Sequence, residues 1–126
     1  MVSGVTAKSW LYYTPNGIHG KCYVKLGFRS DVKREIASIT KVMTAICTIE
    51  ICEKYKINTK TTYFKITDWA ADTPGTTANL LENAWISVED LLYGLMLPSG
   101  NDAAVCLCEN LGAVLYFDRT GNKSLI

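Results

Sequence analysis

The 126-residue chain lacks several features that mark whole classes of proteins. No charged start leads into a long apolar stretch at the N-terminus, and no run of about 18 apolar residues occurs, so neither a signal peptide nor a membrane span is predicted, and the compartment stays open. The formal net charge is only +1, with acids and bases interspersed, which gives no electrostatic basis for nucleic-acid binding. Repeats and low-complexity tracts are also missing. The composition, 48% hydrophobic and 20% charged, is that of one ordinary globular domain.

The sequence also offers no recognisable set of metal ligands. It has one histidine, His19, and its five cysteines form no Cys-x-x-Cys pair, so we predict no metal and no cofactor. Cys47 and Cys52 fall in one apolar helical segment, and Cys106 and Cys108 fall in another. Buried, reduced thiols are the favoured interpretation, and a cross-helix disulfide in an oxidising compartment is the alternative.

Turn-forming residues between two β-prone runs predict a hairpin near the N-terminus. Its strands are Trp10 to Tyr13 and Cys22 to Leu26, and its turn is Thr14 to Gly20. A further short extended stretch is predicted over Thr61 to Thr67, which is rich in β-branched and aromatic residues. Asp72 to Asn79, with proline, glycine and three threonines, is predicted to be a loop.

Apolar periodicity and capping residues predict three helices after the hairpin. The first runs from Ser38 to about Lys54, the second begins with a capping-box-like start at Ser87 and ends near Leu97, and the third runs from Asp102 to Leu111 with Gly112 as its stop. The spacing of apolar residues predicts one buried face on the first helix. That face consists of Ile39, Val42, Met43, Ile46 and Ile49.

Ser38 and Lys41 are three residues apart at the start of the first predicted helix. Residues at this spacing face the same way, so the Lys41 amine can reach the Ser38 hydroxyl and act as base for a nucleophile. The helix start also offers unpaired N–H groups and the positive end of the helix dipole, which favour a developing oxyanion. Ser-x-x-Lys alone is a weak signal, because serine is a common helix cap and lysine is usually solvated.

A second polar triplet, Ser99-Gly100-Asn101, lies on the predicted connection between the second and third helices. Ser-x-x-Lys followed by Ser-x-Asn is the order found in serine β-lactamases and penicillin-binding proteins. The similarity extends to Ala37 through Ala45, Gly75 through Leu80 and Asp90 through Ala104. From about Trp10 to Gly112, the chain resembles the low-molecular-mass D-alanyl-D-alanine carboxypeptidases.

This resemblance implies an α+β fold, namely part of the β-lactamase/transpeptidase-like fold. The expected single domain has a β-hairpin over 1–36, a helical part with both motifs over 37–112 and a divergent tail over 113–126. The later strands of the family's sheet are expected to be missing. The resemblance places the loop from Asp72 to Asn79 near the mouth of the site.

The resemblance also implies the chemistry of a serine-type acyl-transfer enzyme acting on peptides that end in D-Ala-D-Ala. Ser38 is then the catalytic nucleophile, and Lys41 accepts its proton when the amine is neutral. Ser99 relays a proton to the leaving amine, and Asn101 binds the substrate backbone and orients Lys41. A β-lactam acylates the same serine.

The family's third motif, Lys-Thr-Gly, has no counterpart in these 126 residues. The nearest imitation, Lys123-Ser124-Leu125, has leucine where glycine allows a close backbone approach. One oxyanion donor and one cation are then absent, so we expect the chain as given to be inactive.

Three hypotheses remain open at this stage. The first is a serine peptidase present as a fragment, or as one part of a site that a protein partner completes by covering the unfinished sheet. The second is a non-catalytic structural or binding subunit of a larger assembly. The third, a helical domain with accidental motifs, is disfavoured by the length of the resemblance.

Overall fold

The computed structural model describes residues 4–16 and 21–121. The chain forms two compact units, which cover residues 1–35 and 36–126. None of the helices in the described ranges combines the length and the apolar character that a membrane crossing requires.

The first unit contains an antiparallel hairpin of β1 (Trp10–Asn16) and β2 (Lys21–Phe28). Its register shifts once, between Tyr12 and Tyr13, as it does at a β-bulge. The predicted hairpin is confirmed, and β1 continues past Tyr13 into part of the predicted turn. The rest of that turn, residues 17–20, lies outside the described residues.

The second unit contains helices packed with a small antiparallel sheet, in which Phe64 lies opposite Ile86. A 3₁₀ turn over Ala37–Ile39 comes first. The elements that follow are α1 (Thr40–Tyr55), β3 (Tyr63–Lys65), α2 (Asp68–Ala71), β4 (Trp85–Ser87), α3 (Val88–Met96) and α4 (Asn101–Thr120). The predicted α+β class is confirmed, whereas α2 and β4 were not predicted.

The apolar core of the second unit combines side chains from α1, β3, α2, α3 and α4. Ile66, Leu91 and Leu95 are fully buried, and burying a side chain of this kind stabilises a fold by about 1.5–3 kcal/mol. The hydroxyl of Ser87 accepts a hydrogen bond from the N–H of Asp90 at 3.0 Å. The predicted capped start of α3 is therefore confirmed, and this cap fixes where α3 leaves β4.

The apolar face predicted to be buried on α1 is exposed, so that prediction was wrong. Its members are between 44% and 66% exposed: Ile39, Val42, Met43, Ile46 and Ile49. The packed face is instead that of Thr48 and Cys52, with Ala45 and Ile51 partly buried beside them. Apolar periodicity finds a stripe on a helix but does not say which neighbour covers it. We call the five exposed residues the α1 stripe.

The predicted end of α4 at Gly112 was also wrong, because the helix continues to Thr120 and is capped by Gly121 with a φ of 68°. A helical glycine costs only about 1 kcal/mol relative to alanine. Contacts beyond Gly112 offset that cost. Asp118 accepts a hydrogen bond from the Tyr55 hydroxyl at 2.6 Å, so the added turns are linked to the end of α1.

All four cysteines whose side chains are described are free thiols. Cys52 and Cys106 are buried as predicted, whereas Cys47 and Cys108 are exposed. Burial raises the pKa of Cys106 to about 12, with a further contribution from the Glu109 carboxylate, and burial also raises the pKa of Cys52. Cys47 and Cys108 line one cleft of about 330 Å³ between α1 and α4.

Candidate functional site

Ser38 lies in the 3₁₀ turn before α1, not in the first turn of the α-helix itself. Ala37 has a left-handed φ of 45°, and the N–H of Thr40 bonds to the carbonyls of Ala37 and Ser38. Among the described residues, no side chain caps either this turn or α1. The Ser38 side chain is exposed, and backbone hydrogen bonds shape the turn that carries it.

Lys41 and Asn101, which are 60 positions apart in the sequence, are joined by a direct hydrogen bond. Lys41 Nζ donates to Asn101 Oδ1 at 2.6 Å. The other side of the same amide, Asn101 Nδ2, donates to the carbonyl of Pro74 at 2.7 Å. Because the amide oxygen and nitrogen both have partners, the orientation of the Asn101 side chain is fixed with its oxygen toward the lysine.

A cleft of about 430 Å³ lies where the start of α1 meets the start of α4. Ser38, Lys41 and Asn101 all line it. The other lining residues are Ala37, Thr40, Thr44, Thr76 and Ala104. The structure thus brings three of the four predicted site residues to one cavity.

The fourth predicted residue, Ser99, lies on the connection between α3 and α4 and does not line this cleft in the described structure. Its φ of 61° is in the left-handed region, which is uncommon for serine. Its hydroxyl oxygen is buried without a hydrogen-bond partner among the described residues. An unsatisfied buried hydroxyl costs about 1–3 kcal/mol. A left-handed φ at a residue other than glycine is a form of backbone strain, and such strain is often found at functional sites. No pattern in the sequence reveals this strain.

Residues 74–80, which we call the strap, lie against the start of α4 and supply Thr76 to the cleft. The N–H of Asn101 donates to the Thr76 carbonyl at 2.7 Å. Gly75 has a φ of 107°, and a Cβ at this position would lie 2.5 Å from Asn101 Nδ2. Both observations require glycine next to the Asn101 amide.

Asp102 is a central residue of this region that the sequence analysis missed. It is fully buried, and its carboxylate accepts hydrogen bonds from the Thr77 hydroxyl at 2.7 Å and from the N–H groups of Ala78 at 2.9 Å and Leu80 at 3.1 Å. Burial raises the pKa of this carboxyl, but hydrogen bonds from Ala78, Thr77 and Leu80 outweigh burial and leave the pKa below its ordinary value. The sequence signal that could have identified Asp102 is its position directly after the Ser-x-Asn triplet.

The cleft therefore presents an exposed hydroxyl and a lysine amine on one wall and a fixed carboxamide on the other. Such a set suits nucleophilic attack by the hydroxyl with proton transfer to the amine. In the described ranges, no group of three or more histidine, cysteine, aspartate or glutamate side chains is arranged to hold a metal ion.

Comparison with known proteins gives consistent matches to one family. Residues 19–115 match the model of the D-alanyl-D-alanine carboxypeptidase family. The chain is 34% identical over 103 residues to the D-alanyl-D-alanine carboxypeptidase of Streptomyces sp. (strain K15), a match that covers 81% of this chain and 34% of that protein. It is 33% identical over 122 residues to the D-alanyl-D-alanine carboxypeptidase DacA of Haemophilus influenzae, covering 87% of this chain and 31% of that protein.

Solved structures give the same result for the fold. The D-alanyl-D-alanine carboxypeptidase DacD from Francisella tularensis matches 86% of this chain with a TM-score of 0.73 and 28% identity, and the match covers 25% of that protein. Penicillin binding protein 5 from Haemophilus influenzae matches 93% of this chain with a TM-score of 0.73 and 25% identity, covering 36% of that protein. The chain therefore spans about a third of the length of the curated relatives that it matches.

Proposed function

This chain belongs to the D-alanyl-D-alanine carboxypeptidase family, and from that premise we propose that Ser38 is the nucleophile of an acyl-transfer site for peptides ending in D-Ala-D-Ala and for β-lactams. The observation that carries this proposal is the 2.6 Å hydrogen bond from Lys41 to Asn101 beside the exposed Ser38. It joins the Ser-x-x-Lys and Ser-x-Asn motifs at one cleft.

In the proposed reaction, the Ser38 oxygen attacks the carbonyl carbon of the penultimate D-alanine. The serine proton passes to the Lys41 amine, which acts as the base. As the C–N bond breaks, Ser99 relays this proton from Lys41 to the leaving amine, and D-alanine departs. Water then hydrolyses the ester on Ser38.

Two groups around the nucleophile have supporting roles in this scheme. Asn101 holds the substrate backbone and keeps Lys41 directed at the cleft, in line with its two fixed hydrogen bonds. Ser99 needs a rotation of its hydroxyl toward the cleft before it can relay a proton, and no hydrogen bond among the described residues has to break for that rotation.

We also propose that the 126 residues by themselves do not turn over peptide substrates. They contain no Lys-Thr-Gly triplet, which in the family supplies a second cation and an oxyanion donor. Removal of a single oxyanion donor typically lowers the rate by about 10²–10³. Turnover then requires a polypeptide that contributes these two groups.

A second candidate function is a non-catalytic structural or binding subunit within a larger assembly. The observation in its favour is the α1 stripe, a row of exposed apolar side chains on the same helix that follows Ser38. Contiguous exposed apolar surface is typical of protein interfaces. In this case the partner is a protein that covers the stripe.

Intact-mass spectrometry after incubation with a fluorescent penicillin separates the two functions. We expect one adduct to form slowly on the wild-type chain during a long incubation, because a missing oxyanion donor lowers the rate of acylation without removing the nucleophile, and none to form on Ser38→Ala. The matched control is Ser30→Ala, which alters an exposed serine in the other unit and is expected to keep the adduct. If a wild-type chain with a folded circular dichroism spectrum forms no adduct, the acyl-transfer proposal fails and the subunit function is favoured.

A further inference from the structure

We propose that Asp102 is a positioning residue of this site, whose buried carboxylate holds the strap where the strap fixes the Asn101 amide beside Lys41. The inference rests on the proposed function, because the reaction that it serves is acyl transfer to Ser38. Asp102 itself contacts neither Ser38 nor Lys41 in the described hydrogen-bond network, so it acts through the strap.

The first link joins the carboxylate to the strap. Both oxygens of Asp102 accept from the N–H of Ala78, at 2.9 and 3.0 Å, and one oxygen also accepts from the Thr77 hydroxyl and the Leu80 N–H. These partners precede Asp102 by 22 to 25 positions, so they are tertiary contacts and not a local cap. Hydrogen bonds to an ionised group are stronger than neutral ones, and this carboxylate is fully buried.

The second link joins the strap to the Ser-Gly-Asn triplet. The Pro74 carbonyl accepts from Asn101 Nδ2, and the Thr76 carbonyl accepts from the Asn101 N–H, each at 2.7 Å. The Thr76 hydroxyl donates to the Ser99 carbonyl at 2.5 Å. The strap therefore holds both the backbone and the side chain of Asn101, and it also holds the backbone of Ser99.

The close packing around Asp102 also accounts for the glycine in the middle of the triplet. A Cβ on Gly100 would lie 2.5 Å from Asp102 Oδ1 and 2.8 Å from the Gly94 carbonyl oxygen. Contacts this short require a shift of the backbone or of the carboxylate. Gly100 thus lets α4 begin close enough to the strap for Asp102 to reach it.

Asp90 provides a matched comparison within the same chain. It is also an acid in the first turn of a helix, but its carboxylate accepts from the Ser87 hydroxyl of its own capping box. It has no recorded hydrogen bond to the strap. A general effect of removing an acid from a helix start would appear at both positions, whereas a positioning effect is specific to Asp102.

The test compares the wild-type chain with Asp102→Asn and Asp90→Asn by NMR-detected hydrogen exchange. Asparagine keeps the shape of the side chain but loses the charge and one acceptor. In Asp102→Asn we expect the backbone amides of Ala78 and Leu80 and the side-chain amide of Asn101 to exchange about tenfold faster or more. In the same variant, the Cys52 amide in α1 should keep its wild-type exchange rate. In Asp90→Asn, all amides outside the capping box of α3 should keep their wild-type exchange rates.

The rate of acylation by fluorescent penicillin provides the second readout. We expect Asp102→Asn to slow acylation by about tenfold to a hundredfold, because the loss of one hydrogen bond of ordinary strength corresponds to roughly a tenfold decrease in rate. Asp90→Asn should react at the wild-type rate. The proposal is overturned if strap exchange is unchanged in Asp102→Asn, or if exchange accelerates equally at Cys52, which would indicate a general loss of stability.

A folded wild-type chain that takes up no penicillin would refute the proposed acyl transfer without deciding the role of Asp102. In that case the exchange rates of the strap and of the Asn101 side chain alone decide whether Asp102 positions Asn101. The two proposals can therefore fail separately.

Discussion

The starts of α1 and α4 meet at the same cleft but are held in different ways. At α1, Ser38 lies in a 3₁₀ turn without a side-chain cap, and neither that turn nor the first turn of α1 carries an acid. At α4, Asp102 is fully buried and hydrogen-bonded to three residues of the strap. One helix start depends on backbone hydrogen bonds alone, and the other is fixed by tertiary contacts.

This difference shows which part of the site is preorganised within these residues. Asn101 has its amide fixed on both sides, whereas the Ser38 hydroxyl has no recorded hydrogen bond in the described structure. The α1 stripe that follows Ser38 is exposed. The Asn101 side of the cleft is therefore preorganised by hydrogen bonds, whereas the Ser38 side is held less tightly.

The largest effect on stability is expected from Asp102→Ala. The substitution leaves the Thr77 hydroxyl and the N–H groups of Ala78 and Leu80 without their acceptor, so we expect the free energy of unfolding to fall by about 3 kcal/mol or more. Urea unfolding monitored by circular dichroism measures the loss. Asp90→Ala, which disturbs only the capping box of α3, should lose about 1 kcal/mol. Equal losses in the two variants would contradict the contrast between a tertiary contact and a local cap.

Acid is expected to weaken the α4 side of the cleft selectively. The pKa of Asp102 in the folded chain lies below its ordinary value, which is about 3.9 for an unfolded aspartate. Its contribution to stability is thus fully present above about pH 4 and is lost as the pH falls through the folded pKa. The difference in unfolding free energy between the wild type and Asp102→Ala should stay constant from about pH 7 to 5 and shrink below about pH 4. A difference that grows in acid would contradict the lowered pKa.

The smallest effect on stability is expected from Ser38→Ala. The side chain is exposed and caps no helix, so the free energy of unfolding should change by no more than about 0.5 kcal/mol. The same urea experiment measures it, with Ser87→Ala as the contrasting variant. Ser87 caps α3 through the Asp90 N–H, and its loss should cost about 1 kcal/mol. A large loss in Ser38→Ala would mean that the start of α1 is held by its side chain after all.

Sequence reasoning was most successful where the determinants are local. The hairpin, the capped start of α3 and the connection that carries Ser99 all depend on residues within a few positions of one another. The family resemblance added what no local pattern contains, namely that Ser38 and Asn101 come together, and both line one cleft in the structure. The short elements α2 and β4 were missed because four-residue and three-residue segments carry little periodicity.

The errors in the prediction have tertiary causes. The exposed face of α1 is as apolar in sequence as a buried one, and only the position of α3 and α4 decides which side is covered. Gly112 was taken as a helix end because the contact between Tyr55 and Asp118 spans 63 positions. Asp102 was overlooked for the same reason, since an acid at a helix start already has a local explanation in the helix dipole.

The division of the four described cysteine side chains into two buried and two exposed thiols has a practical consequence for labelling chemistry. Thiol-directed reagents react with the thiolate, and a pKa of about 12 keeps Cys106 protonated at neutral pH. Cys52 is shielded in the same way, while Cys47 and Cys108 are accessible from one cleft between α1 and α4. A fluorophore attached at either position therefore reports directly on whatever molecule comes to lie over that cleft.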